Sequence, residues 1–309
     1  MVMKKLITLI ACAVAMAAMT TGCGGGDDNG RGDNGSGGNN TNNTNRNDIS
    51  QEPALQRLEF PKVKGGSSRV IIHALDDRFG INYSVEWDTQ KRSQRWSCYQ
   101  MYADNRKSNT SRYYGDPQYP FDPELSVGEY FSFDPYWGSG YDHGHICPSA
   151  DRLYSRDANV QTFYLTNMQP QRNAFNAGIW AKMEGQLRTW LTDKSPKTDT
   201  LYVCKGGTID PTDEVPNPLR ETLSSGLLVP RYFFMALLMK NSSGYKALGF
   251  WVEHINADHS GDPLADYVVN IGELQTKTGI DFFCNLPDDV ENHVENLPVA
   301  QVKTAWGLR

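Results

Sequence analysis

The sequence predicts an α+β protein, a mainly antiparallel sheet with helices packed on it. Two observations lead there: short strand-like runs dominate the chain, and one strongly periodic helix lies in its middle. Val70-Ile71-Ile72-His73-Ala74-Leu75 and Tyr83-Ser84-Val85-Glu86-Trp87 read as strands around a turn at Asp77 to Gly80. Arg95 to Met101 reads as a third strand. A long stretch rich in Gly, Pro, Asp and Tyr follows, from about Asn105 to Tyr141, and loops of that length usually carry function. Ile179, Trp180, Met183, Leu187 and Trp190 recur at helical spacing and mark a helix from Asn176 to Leu191. Leu201 to Cys204 is a short buried strand. Arg231 to Met239 and Tyr245 to Val252 form a hairpin around Asn241-Ser242-Ser243-Gly244. A short helix within Val268 to Lys277 ends before Gly279.

The ends divide the chain into three. Lys4 and Lys5 precede an apolar run from Leu6 to Met19, which has signal-peptide length and is short for a membrane span. The run closes on Thr20-Thr21-Gly22-Cys23, which resembles a lipobox despite Thr20 standing where leucine is usual. That resemblance implies acylation of Cys23 and attachment to the outer membrane, on its periplasmic or outer face. Residues 24–50 are nearly all Gly, Asn, Asp, Ser and Thr, so they have little to bury and read as a tether. Residues 51–309 have ordinary globular composition, no internal repeat and no second low-complexity break, which favours one domain.

Cysteine usage fits export. With Cys12 and Cys23 assigned to the signal, Cys98, Cys147, Cys204 and Cys284 form an even set without C-x-x-C spacing, which argues against a zinc ribbon. Two disulfides are expected, and the favoured pairing is Cys98 with Cys147 and Cys204 with Cys284. The net charge of −6 excludes a broad positive field, and with it tight electrostatic binding of a polyanion. It does not exclude turnover, which needs a local cationic groove and tolerates weak ground-state binding.

Two segments carry chemistry together: Asp142-His143-Gly144-His145, and Asn167-Met168-Gln169-Pro170-Gln171 running on through Asn176 and Trp180 to Glu184. Phosphodiester hydrolysis needs a base for water and a cation for the charge on the leaving oxygen. A histidine titrating near neutrality suits the first role, and a rate rising through about pH 6 to 7 would report it. Oxygen ligands suit Mg²⁺, which keeps most of its waters. Asn176, Trp180 and Glu184 at i, i+4 and i+8 lie along one helix face.

The combined pattern, Asp142 to His145, Asn167-x-x-Pro170-Gln171 and Asn176-x-Gly178-x-Trp180-x-x-x-Glu184, resembles the DNA/RNA non-specific endonuclease family with its ββα-metal, or His-Me, finger. The resemblance extends from about Leu58 to the segment around Asp281 to Pro287. It implies His145 as general base and Asn176 as the direct ligand of Mg²⁺, with Mn²⁺ as a substitute. Glu184 would partner the cation's waters, and Asn167 would position the histidine. It also implies DNA and RNA as substrates and 5′-phosphate products. One departure stands out: the family's usual arginine after the aspartate is His143 here. A protonated His143, or Arg152, Arg172 or Arg95, is expected to contact the phosphate instead.

Blander readings stand beside these. Asn176 also fits a helix N-cap, Glu184 a surface pair with Arg188, Asn167 a turn residue, and Asp151 with Arg152 a surface ion pair. Two rival functions are open. His143 and His145 at i, i+2 would share one strand face and could hold zinc in a hydrolase. A surface lipoprotein of this fold could also bind nucleic acid or glycan after losing catalysis.

Overall fold

The computed structural model describes residues 43–309. The expected signal peptide, the acylated Cys23 and most of the tether lie outside the described residues. A meander of β1 (Ser68–Ala74), β2 (Ile81–Asp88) and β3 (Ser93–Tyr102) leads into the long loop. A separate ribbon follows, β4 (Asp142–His145) paired with β5 (Met168–Gln171), with α1 (Arg156–Gln161) between them. Next, α2 (Asn173–Phe175) passes through a widened turn at Asn176–Trp180 into α3 (Ala181–Trp190). After β6 (Thr200–Gly207) comes a small ribbon of β7 (Leu219–Thr222) and β8 (Leu228–Pro230). The hairpin of β9 (Tyr232–Asn241) and β10 (Gly244–Glu253) precedes β11 (Val268–Val269). Three helices close the chain, α4 (Ile271–Thr278), α5 (Asp288–Glu295) and α6 (Val299–Ala305).

The main sheet has seven strands in the order β1-β2-β3-β6-β9-β10-β11, and every pairing is antiparallel. This is the expected class. Strand parity splits the interior into two cores. On one face Phe233, Met235, Leu237 and Met239 of β9 meet Ile179, Trp180, Met183 and Leu187 of the central helix. On the other, Phe234, Ala236 and Leu238 meet Ile271, Leu274, Phe282 and Val294. The sheet is therefore buried on both sides, which explains why its strands read as apolar runs and not as clean alternation.

Local chemistry sets the ends of the elements. Asn270 caps α4 by accepting from Glu273 N at 2.7 Å, and Gly279 ends that helix in the left-handed region at φ 68°. The expected helix from Asn176 starts three residues earlier and is kinked at Gly178. A Cβ there would lie 2.9 Å from Asp258 Oδ1, so a neighbouring loop approaches the helix at its kink. The residues spaced i, i+4 and i+8 still divide as expected, with Trp180 1% exposed in the core.

Three expectations are corrected. The four cysteines are free thiols, all buried. Cys98 belongs to the core on one face of the sheet and Cys147 to the other, so the favoured pairing is sterically barred; Cys98 instead sits opposite Cys204 in the β3–β6 register. Secondly, the domain begins before residue 51. Asn47 is 4% exposed, donates to Pro61 O at 2.9 Å and accepts from Val63 N at 3.0 Å. Asn43, Thr44 and Asn45 bond to Leu286, Asp288, Asp281 and Glu291. These are hydrogen bonds to distant partners, and hydropathy carries no trace of them. Thirdly, Asp151 and Arg152 are not a surface pair, because both are 0% exposed.

Candidate active site

The β4–β5 ribbon and the kinked helix after it meet over one polar hollow of about 440 Å³. Its walls include His143, His145, Asn176, Glu184, Arg112 and Arg188. Gly144 lets the ribbon close: a Cβ at that position would stand 2.6 Å from Gln169 O and closer still to the Gln171 side chain. With His145 set opposite Met168 in the register, the imidazole sits at the ribbon's end, facing the helix.

His145 is held at one nitrogen and free at the other. Nδ1 lies 3.3 Å from His143 O, and a carbonyl can only accept, so Nδ1 carries the hydrogen. Nε2 is buried without a hydrogen-bond partner. Burial of the ring, followed by the positive charge of Arg112, pushes its pKa down to about 3. The imidazole is thus neutral at neutral pH, with its lone pair on Nε2. Asn167 fixes the strand that carries it. That side chain is 0% exposed, accepts from Cys147 N at 2.8 Å, and donates to Cys147 O and Thr162 O, each at 2.8 Å. Asn167 therefore touches the backbone two residues past His145 and not the hollow itself.

The helix brings the oxygen donor. Asn176 Nδ2 donates to Asp142 Oδ2 at 3.0 Å, and the same oxygen accepts from Asn173 Nδ2 at 3.0 Å. A carboxylate cannot bond an amide oxygen, so Asp142 fixes which way the Asn176 amide turns and leaves Oδ1 for a cation. The helix start is fixed by His254, whose Nε2 accepts from Arg172 N at 2.7 Å while its Nδ1 faces Pro230 O at 2.9 Å. Burial pushes His254 down to about 4, which keeps it neutral in that bridging role.

Two buried ion pairs organise the wall behind. Glu184 lies 2.7 Å from Lys205 Nζ and 3.4 Å from Arg188. Burial raises the Glu184 carboxyl, and Lys205 and Arg188 pull it back. Asp151 accepts from Arg188 at 2.8 Å and from Tyr99 Oη at 3.1 Å. Burial works to raise Asp151, yet Arg188 and Arg106 hold it below its ordinary value. Among the described residues no group of three His, Cys, Asp or Glu side chains converges on a metal position. An amide oxygen in an open polar hollow instead fits a hard, hydrated cation with few protein ligands.

His143 lines the same hollow and is held in place by its neighbours. Its ring stacks on Tyr119 at 3.6 Å and packs against Tyr136 at 4.4 Å, with Nε2 2.9 Å from Asp134. Burial lowers its pKa while Asp134 opposes that shift. The expected arginines are also redistributed. Arg152 is buried over the Tyr99 ring at 4.4 Å and donates to Gln100 O, outside the hollow. Arg95 is buried in a charged network with Asp88 and Asp210 on another part of the sheet. Arg172 stands at the rim, 4.1 Å over Tyr141 and 3.4 Å from Glu221. The cations that reach the hollow are Arg112 and Arg188. Arg112 donates to Ser149 Oγ and lies 4.7 Å over Phe163.

Arg112 was legible in part. The loop from Asn105 to Tyr141 holds three cations, and the structure pairs Arg106 with Asp151 and Lys107 with Asp104, leaving Arg112 to the hollow. Lys205 carried no signal, since its strand reads as apolar.

These features define an α+β protein whose ββα unit, β4, β5 and the kinked helix, sets an imidazole and an amide oxygen over one hollow. The chain belongs to the DNA/RNA non-specific endonuclease family, whose model matches residues 73–289. It is 28% identical over 209 residues to nuclease C1 of Cunninghamella echinulata var. echinulata, covering 66% of this chain and 81% of that one. It is also 28% identical over 220 residues to mitochondrial nuclease EXOG of Xenopus laevis, covering 68% of this chain and 58% of EXOG. The chain thus spans little more than half of that relative's length. The crystal structure of the EndoG/EndoGI complex shares the fold, with a TM-score of 0.57, 19% identity, and coverage of 72% of this chain and 89% of that one.

Proposed function

We propose that this protein is an endonuclease that hydrolyses DNA and RNA without sequence preference, leaving 5′-phosphates. The observation that carries this reading is the unpartnered Nε2 of His145 in the same hollow as Asn176, whose amide is already oriented by Asp142. A water molecule attacks phosphorus opposite the 3′-oxygen and gives its proton to His145 Nε2. Arg112 and Arg188 hold the non-bridging oxygens and counter the charge as it grows. Asn176 Oδ1 would hold Mg²⁺ or Mn²⁺, and the cation supplies Lewis-acid stabilisation of the departing oxygen. Glu184 keeps Arg188 in place and lies where it can accept from that cation's hydration shell. His143 acts through structure, bracing the ribbon between two tyrosines.

The zinc reading finds less support, because among the described residues no three His, Cys, Asp or Glu side chains converge on one position. We also infer from the lipobox-like Cys23 that the enzyme is exported and held at the outer membrane by an acyl anchor.

The deciding assay incubates plasmid and RNA with Mg²⁺ or with EDTA, wild type beside His145→Ala. Cleavage with Mg²⁺ is expected, and the substitution should slow it by about two to four orders of magnitude. Binding without cleavage would overturn the proposal. Because burial holds free His145 far below the ordinary histidine value, the acid limb of kcat/KM should lie well below pH 6. A bound phosphate raises that pKa again, so the limb of kcat should lie higher.

A further inference from the structure

Asn176 and Glu184 stand on one kinked helix and line one hollow. An unbroken α-helix fixes the angle between any two of its side chains. This helix is broken between them: in the widened turn Asn176–Trp180, Gly178 leaves the helical path at φ −92° and ψ −110°. Turns widened in this way are frequent at functional sites. The direction in which Asn176 points is therefore not dictated by α3, and contacts from outside the helix must set it. Asp142 supplies one, at the side chain. Three more come from a single stretch of chain, residues 254–262, which leaves the end of β10. His254 Nε2 accepts from Arg172 N at 2.7 Å. Asp258 closes on Gly178, where an added Cβ would lie 2.9 Å from its Oδ1. Asp262 O accepts from Lys182 Nζ at 2.5 Å, and the Asp262 side chain is itself tied by Tyr267 Oη at 2.7 Å and His259 Nδ1 at 2.9 Å. The helix is thus met before its kink, at it and after it.

We propose that His254 is a positioning residue for the cation held by Asn176. The inference rests on the cation reading above and adds what aims its ligand. Of the three contacts, this one is made by a fully buried and fully bonded side chain. His254 is 0% exposed, its Nδ1 donates to Pro230 O at 2.9 Å, and Phe175 and Phe233 pack edge-on against its ring at 4.9 and 5.1 Å. An imidazole held in this way has one lone pair left, and it goes to the Arg172 N–H. Arg172 O accepts in turn from Asn176 N at 2.9 Å, so Pro230, His254, Arg172 and Asn176 form one chain of hydrogen bonds. Without the His254 link the first turn loses its anchor to β8 and β10, and Asp142 alone is left to aim the amide oxygen. A hydrated cation with a single direct protein ligand depends on that ligand's orientation, and on the groups that set it.

The test is Mn²⁺ binding to the full chain, read from the signal of the free paramagnetic ion so that no turnover is needed. Asparagine at 254 places an N–H near the position of Nδ1 and keeps the Pro230 bond, whereas glutamine places an oxygen near Nε2 and keeps the Arg172 bond. His254→Asn should weaken Mn²⁺ binding about tenfold, and His254→Gln should stay near wild type. Arg172 tests the same bond from its other end. Its φ is −65°, which proline adopts, so Arg172→Pro deletes the N–H and Arg172→Ala keeps it. Arg172→Pro should bind Mn²⁺ about tenfold more weakly than Arg172→Ala, and this pair decides the matter if His254→Asn does not fold. Equal affinities in the Arg172 pair, or a loss as large in His254→Gln as in His254→Asn, overturn the inference and leave His254 a role in stability alone, whatever the urea midpoints. If Asn176→Ala binds Mn²⁺ as well as wild type does, the cation reading itself falls, and the inference with it.

Discussion

Two polar hollows of similar size lie in this protein, and they treat buried charge in opposite ways. At the first hollow, of about 440 Å³, Glu184 is matched by Lys205 and Arg188, Asp151 behind the wall is matched by Arg188 and Arg106, and Asp142 accepts from the amides of Asn173 and Asn176. In the second hollow, of about 370 Å³, where the N-terminal segment meets α5, Asp281, Asp288, Glu291 and Glu295 gather beside Thr44 and the amides of Asn45, Gln275 and Asn292. There burial pushes Glu291 up to about 7 and Glu295 up to about 8. On the function proposed above, the first arrangement would keep a fixed field for a phosphate and its cation. The second stores protons.

Removing a pair from the first hollow should have the larger effect. Lys205→Met leaves Glu184 with Arg188 as its remaining cation, and the cost expected is below the roughly 3–5 kcal/mol of a fully uncompensated buried charge, by urea denaturation at pH 7. The loss should shrink as pH falls and Glu184 takes up a proton. A loss that ignores pH would show that Lys205 matters for packing alone. Next, Asp142→Ala frees the Asn176 amide to turn, so about 10–100-fold more Mg²⁺ should be needed for half-maximal cleavage, with the saturated rate largely kept. An unchanged Mg²⁺ requirement would detach Asp142 from the metal position.

The smallest effects are those of pH on stability, and the two hollows have opposite signs. Glu295 has a folded pKa raised from 4.5 to about 8, so its contribution is full below pH 4.5 and is lost as pH rises towards 8. His145 and His254 have folded values lowered from 6.5 to about 3 and about 4, so they favour the folded state above pH 6.5 and that contribution is lost as pH falls. Wild-type stability should therefore peak between the acid and alkaline limbs. Glu295→Gln should flatten the alkaline limb in thermal melts and leave the acid limb in place. An alkaline limb unaltered by that substitution would mean that the second hollow stores no proton at Glu295.

The strands β1, β2, β3 and β6, the central helix and the β9–β10 hairpin were legible, because hydropathy period and turn residues act within a few positions of one another, whereas the short strands β5, β7, β8 and β11 went unread. The two C-terminal helices α5 and α6 went unread: residues 288–305 are polar or weakly apolar, and Val294 and Val302 are buried by long-range packing. The bonded segment 43–48 was hidden for the same reason, since asparagines satisfied by distant backbone look like linker. His145, Asn176 and Glu184 were brought forward by a motif that resembles a known family, and they line one hollow. The arginines were misplaced, because a guanidinium reaches several residues' distance and its destination depends on which faces meet.

The sequence by itself determined the α+β class and, through the family resemblance of its motifs, brought His145, Asn176 and Glu184 forward as candidates, all from residues close along the chain. Tertiary structure alone decided that Arg112 and Arg188 face the hollow while Arg95 and Arg152 are buried elsewhere, that His143 braces a ribbon, and that four cysteines stay apart as thiols. The physical reason is that pairing and burial depend on distances across the sheet, and those are fixed only when both of its faces have found their cores.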